Sequence, residues 1–324
     1  MSVRPQTRNL AGMAALALGI FVFSTQDAII KSISGDYAVT QAIVIRSLVS
    51  LPILAAMVHA ESGLRSLVSA NFWALSARGV ILLGSYTAYY MAFPALPLAE
   101  AIALFFVSPI FVTLLAGPLL GESVSLRSWL AVAIGFAGVL FILRPGSALF
   151  EPAALLSLIS AAAYASAMIF ARKLGVSEPA TVMAFYQNGA YLLGAIVIAA
   201  ICAGLGLTKL GHPSLDFLVR PWALPTSKDF LLMAACGVIA AIAMSLLTQA
   251  YRLAEANLVT VFEYTGMIWA PLWGFLFFGE IPRWTTLIGM ALIVAAGLYS
   301  LMGAAASTNV IARERSDEAI QTEP

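Results

Sequence analysis

Charge is what this chain has least of. Asp, Glu, Lys and Arg make up 10% of its 324 residues, against ~25% in soluble domains, so the polar surface that coats a globule in water is missing. That excludes a soluble enzyme, a nucleic-acid binder and a disordered chain. The net charge is +1, and no global field selects an acidic or basic partner. Cys202 and Cys236 are the only cysteines and both sit in apolar stretches; His59 and His212 are the only histidines and lie far apart. Neither pair has metal-ligand or redox spacing, so no metal and no cofactor is expected. No G-x-x-x-x-G-K-[ST] loop occurs, which argues against ATP hydrolysis as a driving force. No H-E-x-x-H or paired-carboxylate pattern occurs either, and Gly204-Leu-Gly206 lacks the rest of a dinucleotide fingerprint. An enzyme is not expected.

What the chain has in abundance is apolar sequence: 61% of residues are hydrophobic, with a mean hydropathy of +0.94. Ten stretches run over residues 10–32, 39–59, 73–93, 99–120, 128–143, 153–171, 180–203, 229–251, 257–278 and 284–303. In hydrocarbon each backbone polar group must be satisfied within its own segment, which leaves helices or a closed barrel. Continuous apolar runs such as Ala101 to Leu120 lack the alternation of barrel strands. The expectation is an all-α integral membrane protein with ten transmembrane helices. The first stretch follows Arg4 and Arg8, has no small-x-small cleavage site, and carries Gln26, Asp27 and Lys31 at its far end; it reads as a retained helix. Residues 204–228 form the one long connection, and 304–324 read as a disordered polar tail.

Positive charge orients the chain. The side shared by both termini carries ten Lys and Arg (Arg4, Arg8, Arg65, Arg78, Arg127, Arg172, Lys173, Arg252, Arg313, Arg315), and the other carries six (Lys31, Arg144, Lys209, Arg220, Lys228, Arg283). Both termini are therefore expected in the cytoplasm of a bacterial inner-membrane protein.

The chain also repeats. A shift of 141 residues aligns Thr40-Gln-Ala-Ile-Val-Ile-Arg46 with Thr181-Val-Met-Ala-Phe-Tyr-Gln187, and Leu51 with Leu192. A shift of 158 aligns Gly79-Val80-Ile81 with Gly237-Val238-Ile239, Ala92-Phe93 with Ala250-Tyr251, and Gly121-Glu122 with Gly279-Glu280. The 17-residue difference falls in the long loop. Leu98-Ala-Glu-Ala101 and Leu253-Ala-Glu-Ala256 are out of this register and count as coincidence. Five spans per half is an odd number, so the halves enter the membrane from opposite sides: two inverted five-helix repeats, 10–143 and 153–303, joined by 144–152 and preceded by a cytoplasmic segment 1–9. Such repeats suit alternating access, with the substrate site between them near the midplane.

The stretch Glu263-Tyr-Thr-Gly-Met-Ile-Trp-Ala-Pro-Leu-Trp-Gly-Phe-Leu-Phe-Phe-Gly-Glu280 resembles the ninth-helix signature of EamA-type transporters of the drug/metabolite transporter superfamily. Ser108-Pro109 through Gly121-Glu122 is similar to the family's fourth-helix pattern, and Ala92 before an aromatic residue and Arg46 in the second span fit as well. The resemblance covers residues ~10–303. It implies a secondary transporter that exports amino acids, purines, other polar metabolites or drugs, with S-adenosylmethionine and nucleotide-sugar carriers among its relatives.

Ionisable and polar residues inside spans mark candidate sites. Asp27 and Lys31 lie one turn apart and can pair with each other. Arg46 lies at a depth similar to Asp27, which could serve as its partner; its planar fork also suits a substrate carboxylate or phosphate. Gln187, Asn188 and Glu263 fall on the opposite side of the midplane, so Asp27 and Arg46 are expected at an outer gate and these three at an inner one. In a proton-coupled cycle, Asp27 and Glu263 are the best carriers. Tyr86 and Tyr90 share a helix face, and Tyr164, Tyr264 and Trp269 add aromatic surface suited to a small amphipathic solute. Glu100, at a span end, is expected in solvent. Pro52, Pro109 and Pro271 can kink their helices, and Ala131/Gly135 and Ala291/Ala295 suit close helix packing. The function expected is export of amino acids or similar small polar metabolites through the bilayer, by a monomer or homodimer, with protons as a candidate coupling ion and no nucleic acid involved. A drug or S-adenosylmethionine carrier is the alternative.

Overall fold

The computed structural model describes residues 5–121, 126–147, 150–174, 178–253 and 263–299. Among them there is no strand. The helices are α1 (Pro5–Ile33), α2 (Val39–Glu61), α3 (Phe72–Met91), α4 (Leu98–Phe105), α5 (Ser108–Leu120), α6 (Leu126–Leu143), α7 (Ala154–Leu174), α8 (Ala180–Gly204), α9 (Pro213–Val219), α10 (Ser227–Leu253) and α11 (Gly266–Phe278), followed by α12 (Trp284–Tyr299). Among the described residues, six segments are long and apolar enough to cross a membrane, and three shorter apolar helices accompany them. α3 has the length of a span but carries Arg78, three tyrosines, two serines and Thr87. Glu122, the 254–256 half of the out-of-register match, and the tail from 304 lie outside the described residues, as do the side chains of Arg8, Arg172, Lys173, Tyr251 and Arg252.

One stretch expected as a single span is two helices. α4 ends at Phe105, residues 106–107 form a turn, and α5 begins at Ser108. The physical reason is Pro109, which has no N–H to offer the carbonyl of Phe105. Pro109 therefore starts a helix rather than kinking one; Pro52 and Pro271 do lie inside α2 and α11. A second turn falls at 264–265, just before α11. The shift of 158 carries 106–107 onto 264–265. The two turns also touch, because the rings of Phe106 and Tyr264 are 5.9 Å apart and a Cβ on Gly266 would stand 2.7 Å from Phe106. Gly121 and Gly279 both have left-handed φ, +72° and +66°, which explains glycine at each helix end.

Packing pairs recur in the same way. α1 lies on α10, and α7 on α3; α2 lies on α10, and α8 on α3; α11 contacts α1, and α5 contacts α7; α2 meets α8, its own counterpart. Individual contacts follow suit. A Cβ on Gly237 would stand 2.5 Å from the Arg46 carbonyl and 2.8 Å from Val49 Cβ; one on Gly79 would stand 2.7 Å from Ala190 Cβ and 3.4 Å from the Tyr186 carbonyl. Ala190 is Val49 shifted by 141, and Gly237 is Gly79 shifted by 158. α6 and α12 close on each other through Gly138 and Gly289, where a Cβ on either would meet the other's carbonyl at 2.7 or 2.6 Å. Gly135 packs against Ile110 and Ala296. Ala291 and Ala295, expected in that role, face outward.

Candidate functional site

α1, α2, α3, α4, α7 and α8, with Gly266 of α11, line a cavity of about 260 Å³, near the small end of ligand pockets, ~300–1,000 Å³. Six of the expected residues line it: Asp27, Arg46, Tyr86, Tyr90, Tyr164 and Gln187. Five helices, α1, α2, α3, α7 and α8, supply these groups, which are remote in sequence.

Arg46 is buried and faces the cavity between two aromatic rings, its guanidinium carbon 4.8 Å from the Tyr86 centroid and 5.8 Å from that of Tyr191. Flat stacking suits a delocalised cation. Its Nε donates to Gln26 Oε1 at 3.1 Å and its Nη1 to Asn188 Oδ1 at 3.4 Å. Asn188 also accepts from Ser50 Oγ at 3.0 Å and anchors its amide on the Ala184 carbonyl at 2.9 Å, so it backs Arg46 from behind rather than lining the cavity. Gln187 donates to Tyr191 at 2.9 Å across one helical turn.

Asp27 accepts from Tyr90 Oη at 2.9 Å and from Tyr89 Oη at 3.2 Å. The three α3 tyrosines form a cluster, with Tyr86 and Tyr90 centroids 4.4 Å apart and Tyr89 and Tyr90 5.0 Å apart. Tyr164 closes one wall through Phe105, at 5.5 Å.

Several expectations change at this point. Asp27 and Lys31 do not pair. Lys31 Nζ instead bonds Glu280 Oε1 and the Leu96 carbonyl, each at 2.5 Å, because the end of α1 abuts the α11 terminus. Arg46 takes Gln26 and Asn188 as partners rather than Asp27. The division into outer and inner polar clusters also fails: Asn188 bonds Arg46, and Gln187 lines the same cavity as Asp27, because α2 and α8 cross there. Glu100 is not in solvent but buried, accepting from Arg144 Nη2 at 3.2 Å and Thr286 Oγ1 at 2.8 Å.

Glu263, Tyr264 and Trp269 do not line the cavity. Tyr264 packs on Phe106, Glu263 lies within electrostatic reach of Tyr164, and Trp269 stacks on Trp273 with its edge to Phe21, at 6.3 and 4.8 Å. Sequence reasoning missed Gln26 and Tyr191; Tyr89, at i,i+3 from Tyr86, was legible as part of the same aromatic face but not as a partner of Asp27. Tyr191 could have been found, since it follows Gln187 at i,i+4. Gln26 was seen only as the polar end of a span.

The comparisons with known proteins agree with this architecture. A family model described as the EamA-like transporter family matches residues 10–144 and 151–302. A riboflavin transporter of Rhizobium johnstonii is 32% identical over 253 residues, 78% of this chain and 76% of that one. A pseudopaline exporter of Pseudomonas aeruginosa is 27% identical over 287 residues, 88% and 94% of the two chains. An S-adenosylmethionine uptake transporter of Rickettsia prowazekii is 24% identical over 68% of this chain and 69% of its own. A solved crystal structure with 20% identity superposes with a TM-score of 0.59 over 91% of this chain and 96% of its own, which supports the fold alone. With its two matched segments covering most of its length, this chain belongs to the EamA-like transporter family.

Proposed function

We propose that the protein is a secondary transporter of the bacterial inner membrane that exports amino acids or similar small polar metabolites by alternating access. The observation that carries this reading is the cavity itself: a buried cation, Arg46, and a carboxylate, Asp27, face one space walled by tyrosines. A small solute with an apolar body and charged ends suits such a space. The recurrent packing pairs, the matched turns at 106–107 and 264–265, and the equivalent contacts of Gly79 and Gly237 support two inverted repeats spanning 10–143 and 153–303. The excess of Lys and Arg on the side of the termini supports a cytoplasmic location for both.

The three relatives are named for chemically different solutes, so resemblance singles out none of them. One observation favours the second reading, a carrier of a cationic solute such as S-adenosylmethionine: among the described residues Asp27 has hydroxyl partners but no cationic one. In a proton-coupled cycle Asp27 is the cavity group placed to carry the proton.

The test is uptake by proteoliposomes of labelled aromatic and aliphatic amino acids, purines, riboflavin and S-adenosylmethionine, with and without a pH gradient. Saturable uptake of amino acids supports the first reading. Uptake of S-adenosylmethionine alone moves the assignment to the second, and no uptake of any solute by folded protein overturns both.

A further inference from the structure

Arg46 and Asp27 share a cavity, yet neither forms an ion pair among the described residues. Between them stands Gln26, fully buried. A guanidinium can only donate, so the amide atom facing Arg46 Nε is the oxygen, at 3.1 Å. The amide nitrogen then faces Tyr90 Oη at 2.8 Å and Tyr86 Oη at 3.3 Å. Having accepted that hydrogen bond, Tyr90 donates its own hydroxyl to Asp27 Oδ1, at 2.9 Å. The result is a neutral relay, Arg46–Gln26–Tyr90–Asp27, that orients both charges and keeps them apart.

Holding a separated cation and anion away from water is unfavourable unless something compensates each. A glutamate at position 26 differs from glutamine by one atom and would neutralise Arg46 internally. The chain has the amide instead, which satisfies Nε without cancelling the charge. The nearest other cation on α1, Lys31, is taken by Glu280. Arg46 Nη2 has no protein hydrogen-bond partner among the described residues, and Arg46 lines the cavity.

We infer that Gln26 is a specificity-determining residue: by holding Arg46 uncompensated at one wall while Tyr90 holds Asp27 at another, it selects solutes that bear both a carboxylate and an ammonium group. The carboxylate docks on the free edge of Arg46, where a planar fork suits it, and the ammonium meets Asp27. This deepens the carrier reading and rests on it.

The experiment uses the purified full chain in detergent with matched trios built on phenylalanine, leucine and methionine: the amino acid, its amide without the carboxylate, and its deamino acid without the ammonium. Binding is read as thermal stabilisation against concentration, and uptake of the labelled amino acid is measured in parallel. The expected result is that the parent binds at least one intact amino acid at least ~10-fold more tightly than either truncated form, since truncating one partner of a buried charge pair is costly. Gln26→Glu loses the preference for the carboxylate while its unliganded melting temperature does not fall. Gln26→Asn, which keeps the amide but is one methylene short, retains a weaker preference. Should the parent bind no trio member, or bind all three forms alike, or should Gln26→Glu discriminate as the parent does, the inference is overturned even where uptake persists. Selective binding that depends on Gln26, without any uptake, leaves the inference standing and overturns the carrier reading instead.

Discussion

Arg46 is held by shape as much as by charge: its guanidinium lies over the Tyr86 and Tyr191 rings, and Gln26 and Asn188 bond its nitrogens. Arg46→Lys preserves the charge but loses the fork and most of the stacking. In proteoliposomes its KM for the transported solute should rise at least ~10-fold with a smaller change in Vmax, because what is removed is binding. Tyr191→Phe keeps the ring that stacks on Arg46 and removes only the hydroxyl that accepts from Gln187. A single neutral hydrogen bond contributes about 1 kcal/mol, so uptake should change no more than several-fold. A loss as large as that of Arg46→Lys would mean that the hydroxyl itself meets the solute. At this scale residue types were legible in the sequence, since ionisable groups inside apolar stretches advertise themselves. Their partners were not, because Asp27, Arg46 and Asn188 are joined through side chains on four helices, α1, α2, α3 and α8, and nothing in linear spacing encodes those contacts.

Helices approach one another through glycine at defined places, and the cost of adding a methyl can be read off each. Gly237→Ala places Cβ 2.5 Å from the Arg46 carbonyl, and Gly79→Ala meets Ala190 Cβ at 2.7 Å. Each should destabilise the protein by about 1–3 kcal/mol, seen as a lowered melting temperature in detergent. Gly84, in α3, has nothing within 4 Å, so Gly84→Ala should be neutral or mildly stabilising. A drop for Gly84→Ala equal to that of Gly237→Ala would remove the packing argument. Outside the spans, Asp216 accepts the backbone N–H groups of Leu210 and Gly211 at 2.6 and 3.0 Å, and these bonds hold its carboxyl below the usual carboxylate range. A depressed carboxylate contributes its stability above its unfolded value, about 3.9, and loses it as pH falls through the lower folded value. Protection of the Leu210 and Gly211 amides, measured against their intrinsic exchange rates at each pH, should therefore persist through pH 4 and fall only below it, whereas in Asp216→Asn that acid-dependent loss of protection should be absent. The helices themselves were legible from apolar runs, and the break at 106–107 was not. A run with no charge in it looks continuous until Pro109 is placed against the carbonyl it leaves unbonded.

On the scale of the whole molecule, a seam of polar contacts ties the two matched segments together. Lys31 of α1 bonds Glu280 after α11, Glu280 Oε2 accepts the N–H of Leu98 at 2.8 Å, and Thr286 of α12 reaches Glu100 of α4. If the halves rock during transport, this seam must open. Cysteines at Lys31 and Glu280 joined by a thiol-specific, reducible cross-linker should abolish proteoliposome uptake, and reductant should restore it. Undiminished uptake by fully cross-linked protein would show that this seam does not move.

The sequence alone determined that the chain is a membrane protein of many helices and that its two halves are related, since both follow from composition and register, quantities that survive without coordinates. The Gly-Glu pair at two helix ends and the Gly-Val-Ile pair were visible as letters, and their equivalent positions in the packing give those letters a physical meaning. Tertiary structure alone decided which charges meet. Lys31 left its neighbour Asp27 for Glu280, Glu100 went from expected solvent to a buried bond with Arg144, and Gln187, expected on the opposite side of the midplane, came to line one cavity with Asp27 and Arg46. The reason is that an ionisable group in a low-dielectric interior takes whichever partner helix crossing brings within hydrogen-bond reach, and crossing geometry is set by packing of apolar and glycine surfaces on whole helices, not by the spacing of the charged residues themselves.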